Sequence, residues 1–309
     1  MAVLTSDQAI ARVEQGQSLA AAELSLIDLS SSHLDLGQFA GAYLRRARFA
    51  GSFCREANFA GASLQRADFT DAVLTRSSFA HAALHGVLFN GADLSGARLE
   101  AAACLEAQVN GLQAIGADLT KSNWQHARGG WTNFTGANSE RARFVSACLP
   151  QGRFDSARLR LSLWEGAELP DTSWHGADLE RANFRRAALR GANFTNSSAV
   201  AANFQDADLS VSCWQGAELE LAQFDRAVFA GADLSGASLF AANLEAARFK
   251  QTILAGANLE QANLEGTVWE QVDFADARVE GANFGDALGL SAEQRQWLRA
   301  NGAVGVYCS

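Results

Sequence analysis

The chain has 309 residues, is 48% hydrophobic, and carries 25 Lys and Arg against 34 Asp and Glu, a formal net charge of −9. That balance argues against direct binding of nucleic acid, which needs a basic surface. No run approaches the roughly 18 apolar residues of a membrane helix and no basic-then-apolar leader opens the chain, so a cytoplasmic protein without membrane insertion is expected.

In chain order, Thr5 or Ser6 can N-cap a short helix to about Gln15, with Ile10 and Val13 on one face and Gly16 closing it. From Leu19 a strict period of five begins. Stepping by five reaches 54 positions, of which 41 are Leu or Phe and five are Trp (Trp124, Trp164, Trp174, Trp214 and Trp269). Two residues before each of these centres the chain is small: Ala, Ser, Gly or Thr fills 49 of the 54 slots. Asn or Asp often stands just before the centre, as in Ala57-Asn58-Phe59 and Ala262-Asn263-Leu264.

A period of five fits neither the 3.6 of a helix nor the 2.0 of a plain strand. It fits a coil that turns a corner every five residues, with the bulky centre and its small predecessor pointing inward. A narrow core leaves room for only an Ala-sized partner beside each Phe or Leu. Leu112 beside Ala114 reads as a local swap of those volumes.

The pattern A(N/D)(L/F)xx resembles the pentapeptide-repeat family over most of the chain. The resemblance implies an all-β fold: a right-handed quadrilateral parallel β-helix of four repeats per coil and about 13 coils. The expected organisation is a helical cap at 1–18, the β-helix at 19–288, and a helical cap with tail at 289–309. Counting by twenties then stacks the aromatics in core columns, one holding Trp164, Phe184, Phe204 and Phe224.

The weakest coils are expected between Cys104 and Ser139, where centres hold Cys104, Val109, Ala114, Gly129 and Ser139, and Gly129-Gly130 precedes an outward Trp131. A bend or partner groove around Trp131 would account for them, as would a merely distorted coil. Near the end, Ser291 with Gln294 makes a capping-box start for a helix to about Ala300. Trp297 and Leu298 serve the core there, and Gly302 is the stop. The tail around Val304 and Val306 is apolar enough to pack on the last coil or on a second copy. By resemblance, a homodimer can form through this C-terminal cap.

Catalytic motifs are absent, so no enzyme, cofactor or catalytic residue is expected. The cysteines (Cys54, Cys104, Cys148, Cys213 and Cys308) form no CxxC pair and leave an odd count, against both a disulfide framework and a metal site. The informative feature is charge. Residues twenty apart stack about one strand spacing apart, so columns such as Arg48–Asp68, Arg98–Asp118 and Arg186–Asp206–Arg226 should support each other. One edge instead stacks like charges: Asp225, Glu245 and Glu265, with Glu260 and Glu280 at the corner before. Residues 200–290 hold 14 acids against four bases.

Two roles follow. The first is a rigid, non-enzymatic scaffold whose acidic strip meets another protein with a basic surface. The cap sequences look similar to those of pentapeptide proteins associated with bacterial secretion systems, notably type VI. The second is DNA mimicry: some family members resemble a duplex and act on DNA gyrase and topoisomerase IV. The unbroken register and a nearly neutral first half rank it second.

Overall fold

The computed structural model describes residues 4–307, so Cys308 lies outside it. The chain forms two compact units, Met1–Arg158 and Leu159–Ser309. Both are built by one rule. In the first, the Leu24 N–H donates to the Tyr43 carbonyl at 2.8 Å and the Leu26 N–H to Arg45 at 2.9 Å. The Ile27 N–H turns back to Leu24 at 3.2 Å, and the Tyr43 N–H donates to Ala22 at 2.9 Å. In the second, the same four bonds run Leu244 to Asn263, Ala246 to Glu265, Ala247 to Leu244 and Asn263 to Ala242.

Parallel bridges therefore join residues twenty apart. Glu23–Tyr43, Asp28–Arg48, His33–Phe53 and Gln38–Asn58 fall in successive repeats before Tyr43–Ser63 resumes the first ladder. Within each unit the inner coils pair with the chain before and after them, as Tyr43 does with Glu23 and Ser63, which is how the buried polar main chain is satisfied.

The bond turning back on each centre closes a tight turn whose third residue has a positive φ, as type II turns require. Arg46, Arg66 and even the β-branched Val211 take φ of 56°, 58° and 60°. Such a conformation costs an L-residue roughly 1–2 kcal/mol, so the stacking that enforces it outweighs local preference.

The core follows the sequence pattern. Leu112 and Ala114 are both buried, in keeping with swapped volumes. Phe39, Phe59 and Phe79 stack with centroids 4.9 Å apart in the first unit. Trp164, Phe184, Phe204 and Phe224 form the expected column in the second, at 5.8, 5.0 and 5.1 Å.

One core rule escaped the sequence reading. Each central Trp is preceded two residues earlier by Ser or Thr, not Ala, and its indole N–H donates to that hydroxyl. The pairs are Trp124–Ser122, Trp164–Ser162, Trp174–Thr172, Trp214–Ser212 and Trp269–Thr267, all at 2.7–2.8 Å. The hydroxyl in turn donates to the carbonyl three residues back, as Ser162 does to Leu159 at 2.6 Å. A buried indole donor needs such a partner.

Two irregularities interrupt the turns. At Gly129 φ reaches 153°, and a Cβ there would lie 2.3 Å from the Asn110 nitrogen, so only glycine fits. The usual turn bond is missing, and the buried hydroxyls of Thr132 and Ser139 have no partner. The coil nevertheless continues, with Gly129 donating to Cys148 and Trp131 to Pro150. The second lies in the other unit and was not anticipated. The chain stays extended in β1 (Arg248–Lys250) and β2 (Val268–Glu270), which pair in parallel with Phe249 opposite Trp269.

Helix α1 (Ser6–Glu14) is capped by Thr5 with Gln8 completing a capping box. Its buried residue is Ala9, while the expected Ile10 and Val13 are only half-buried, because a close contact admits the smaller side chain. Helix α2 (Ala292–Ala300) starts at the Ser291–Gln294 box, buries Leu298, and leaves Trp297 half-buried with its ring 6.1 Å from Phe274.

Candidate functional site

The acidic edge is built by the ladder itself. The Arg226 N–H donates to the Glu245 carbonyl at 2.9 Å and the Ala246 N–H to Glu265 at 2.8 Å, so residues 225, 245 and 265 lie on successive coils. Glu245 and Glu265 are exposed and Asp225 is half-buried. Beside them runs an asparagine ladder that the sequence reading did not single out. The Asn263 amide donates to Asn243 at 3.0 Å, and Asn283 to Asn263 at 3.2 Å. The Asn243 amide donates to Asp225 at 2.7 Å and that of Asn283 to Glu265 at 3.3 Å.

The carboxamide oxygens of Asn243, Asn263 and Asn283 also accept the N–H groups of Glu245, Glu265 and Gly285 at 3.0–3.3 Å. The outward main-chain donors at Glu245, Glu265 and Gly285 are thus consumed, whereas before Asp225 the residue is Gln223, whose amide donates to the Leu221 carbonyl at 3.0 Å. Asparagine recurring every twenty residues just before a centre was the available signal.

Cations trim the edge at two places. Arg226 makes two bonds to Asp206, at 2.7 and 3.1 Å, holding that carboxyl below its ordinary range. Arg278 approaches Glu260 at 3.7 Å, partly neutralising the neighbouring row, while Glu280 stays exposed.

Other charged columns differ from expectation. Arg48 pairs with Asp28 at 3.1 Å rather than with Asp68, whose oxygen already accepts the Thr70 N–H at 3.0 Å. Arg98 pairs with Glu100 at 2.9 Å, while one Asp118 oxygen accepts both the N–H and the hydroxyl of Thr120. This Asx-type bond takes one oxygen only: Asp28 makes it to the Ser30 N–H at 3.1 Å and still pairs with Arg48 through its other oxygen.

Trp131 stands on its corner 65% exposed, with φ at 54°. At the C-terminal end Leu298 is fully buried, so it supports this end from within. Val304 acts through its backbone: it bridges Asn283 in the last ladder and leaves its side chain 51% exposed, while Val306 is half-buried. Pairing of an exposed edge in this way blunts it against aggregation.

Burial pushes the Cys54 thiol up to about 12, and burial likewise lifts Cys104 well above the ordinary thiol value. Both are core fillers without thiolate chemistry. Among the described residues no group of three His, Cys, Asp or Glu could hold a metal, and no helix is long and apolar enough to cross a membrane.

Ladders with a twenty-residue period and outward charge define a solenoid of the β-helix class. The Pentapeptide repeats family matches in 8 copies, over residues 38–76, 54–91, 115–149, 165–196, 202–240, 242–267 and 252–288, more than half of the chain. The chain belongs to the pentapeptide-repeat family, and its β-helix is right-handed.

Solved structures similar to it include HetL, a pentapeptide repeat protein involved in heterocyst differentiation regulation in the cyanobacterium Nostoc sp. strain PCC 7120. That match has 24% identity over 91% of this chain and 97% of that one, with a TM-score of 0.26. The plasmid-mediated fluoroquinolone resistance protein QnrB1 matches at 18% identity, over 67% and 95% of the two chains, with a TM-score of 0.35. A pentapeptide repeat protein of the Arabidopsis thaliana thylakoid lumen matches at 28% identity, over 45% and 80%, with a TM-score of 0.20. No curated protein matches significantly.

Proposed function

We propose that the protein is a non-enzymatic scaffold for protein–protein interaction, and that the edge bearing Asp225, Glu245 and Glu265 receives a basic protein surface. In this reading the chain is a four-sided coil of about 13 turns, spaced by one strand distance per turn and closed by helices at both ends. It is bacterial and cytoplasmic and serves a secretion system of the type VI kind. The observation that carries the reading is the asparagine ladder. By accepting the main-chain N–H groups of Glu245 and Glu265, it leaves their carboxylates as the outward-facing groups there. Like charges one strand spacing apart repel, and a cationic partner relieves that repulsion.

The test is quantitative pull-down from the source cell with the wild-type chain and with Asp225/Glu245/Glu265→Lys. Loss of specific partners on charge reversal supports the reading; retention of all of them overturns it. Glu260 and Glu280 are proposed as flanking contacts, Trp131 in the first unit as a separate partner contact, and Trp297, Val304 and Val306 as the surface of a homodimer, with Leu298 supporting it from beneath.

A second reading, mimicry of duplex DNA toward gyrase or topoisomerase IV, is favoured by the 14 acids against four bases in residues 200–290. A supercoiling assay with purified protein decides it, since a mimic inhibits or protects the enzyme and a plain scaffold has no effect.

A further inference from the structure

The first unit holds 14 acidic and 14 basic residues, yet its charge is not evenly mixed. A groove of about 560 Å³ opens on its surface, lined by Arg45, Arg46, Arg66, Gln65, His85 and Leu26. Nearby arginines are occupied: Arg48 by Asp28, Arg55 by Asp35 and Arg76 by Glu56. Among the described residues Arg45, Arg46 and Arg66 have no carboxylate within 4.0 Å. Two acids stand near: Glu23, whose carboxyl feels Arg45 but is held mainly by Ser25, and Glu106, 3.6 Å from the His85 imidazole.

The backbone adds a second set of donors. Where an Asn or Asp stands two residues earlier it can take the outward N–H at this point of the repeat, as Asn58 does for Ala60 and Asp93 for Ser95. In the groove the corresponding residues are Tyr43, Ser63 and Ala83, and none of them makes that bond. The N–H groups of Arg45, Gln65 and His85 therefore face outward, unpaired, on three successive coils. Guanidinium forks and main-chain N–H groups in one concavity are a recognition surface for oxyanions. The groove also carries Leu26, 68% exposed, and Tyr43 on the same coil is 51% exposed. Arginine and tyrosine beside an exposed leucine mark protein interfaces rather than phosphate sites.

We infer that this groove docks an acidic segment of another protein. Its carboxylates pair with Arg45, Arg46 and Arg66 and with the free N–H groups, and an apolar side chain packs on Leu26. The inference is independent of the acidic edge in the other unit.

The test uses the full chain and a fluorescein-labelled peptide of sequence Asp-Leu-Glu-Asp-Leu-Glu, read by anisotropy at low and at physiological salt. Saturable, salt-weakened binding is expected. Arg45→Ala/Arg46→Ala/Arg66→Ala should weaken it roughly tenfold or more, while Arg143→Ala, outside the groove, leaves it unchanged. Ala83→Asn, which offers the His85 N–H a neutral internal partner, should weaken it about two- to threefold. Should the triple variant fail to fold, Arg46→Ala alone supplies the arginine readout. Three results would overturn the inference: equal weakening by Arg143→Ala, tighter binding of inorganic triphosphate than of the peptide, or salt-dependent self-association of the wild type that the groove variant abolishes. The last two would assign the groove to a phosphate or to a second copy.

Discussion

The groove at Arg45 and the edge at Asp225 are separated by a multiple of twenty residues, so they fill the same slot of the repeat. Their backbones are built by the same four hydrogen bonds, and their chemistry is opposite. In the first unit Tyr43, Ser63 and Ala83 leave the outward N–H groups free, and arginines surround them. In the second, Asn243, Asn263 and Asn283 occupy those donors, and carboxylates remain. At these positions the residue just before the centre thus decides whether the outward N–H stays free or is taken. The difference teaches that the outward chemistry of this repeat is written on slots that contribute little to the core.

If the two units share a scaffold rule and differ only at their edges, core changes should hurt equally wherever they are made. Trp124→Ala in the first unit and Trp214→Ala in the second should each cost about 3–5 kcal/mol in denaturant unfolding. A cost confined to one unit would break the comparison.

Next come the hydroxyl partners. Ser122→Ala and Ser212→Ala each strand a buried indole N–H and should cost about 1–3 kcal/mol, less than removing the ring. Val211→Gly should instead stabilise by up to about 1 kcal/mol, because it relieves a left-handed β-branched residue but adds chain entropy to the unfolded state. Reversing Arg46 or Glu245 should shift stability by less than about 1 kcal/mol, since exposed pairs contribute little. A larger shift would mean that the edges hold the fold together and are not free to serve recognition.

Acid should have the mildest effect. A hydrogen bond from Arg226 holds Asp206 low, and one from Ser30 does the same for Asp28. At Asp233 burial alone would raise the value, but bonds from Ser235 and Gln215 outweigh it. Groups depressed in the folded state add stability above their unfolded value, about 3.9 for Asp, and that contribution fades as pH falls through the folded value. Thermal stability should therefore be flat from pH 7 to about 5 and decline gently below about 4. A decline beginning near pH 6 would contradict these assignments.

The repeat made the core legible before any coordinates, because a narrow bore admits one volume pattern and that pattern is the sequence period. Leu112 and Ala114 were readable for the same reason. The pairings of Arg48 and Arg98 were not, since stacking alone does not say that Arg48 reaches the coil before it or that Arg98 reaches a residue two further along its own chain. Nor were the extended corners at Lys250 and Glu270, where the five-residue register continues unbroken while the turn opens. The acidic edge was visible as stacked carboxylates. The groove was hidden because net charge averages it away, and what makes it is the absence of a capping residue at Tyr43, Ser63 and Ala83.

The most direct measurement is a crossed binding assay on folded full-length variants. A lysine-rich peptide and the acidic peptide are each titrated against Asp225/Glu245/Glu265→Lys and against Arg45/Arg46/Arg66→Glu. The account predicts that the basic probe is lost only with the first variant and the acidic probe only with the second. Loss of both probes in either variant, or of neither in both, would contradict it.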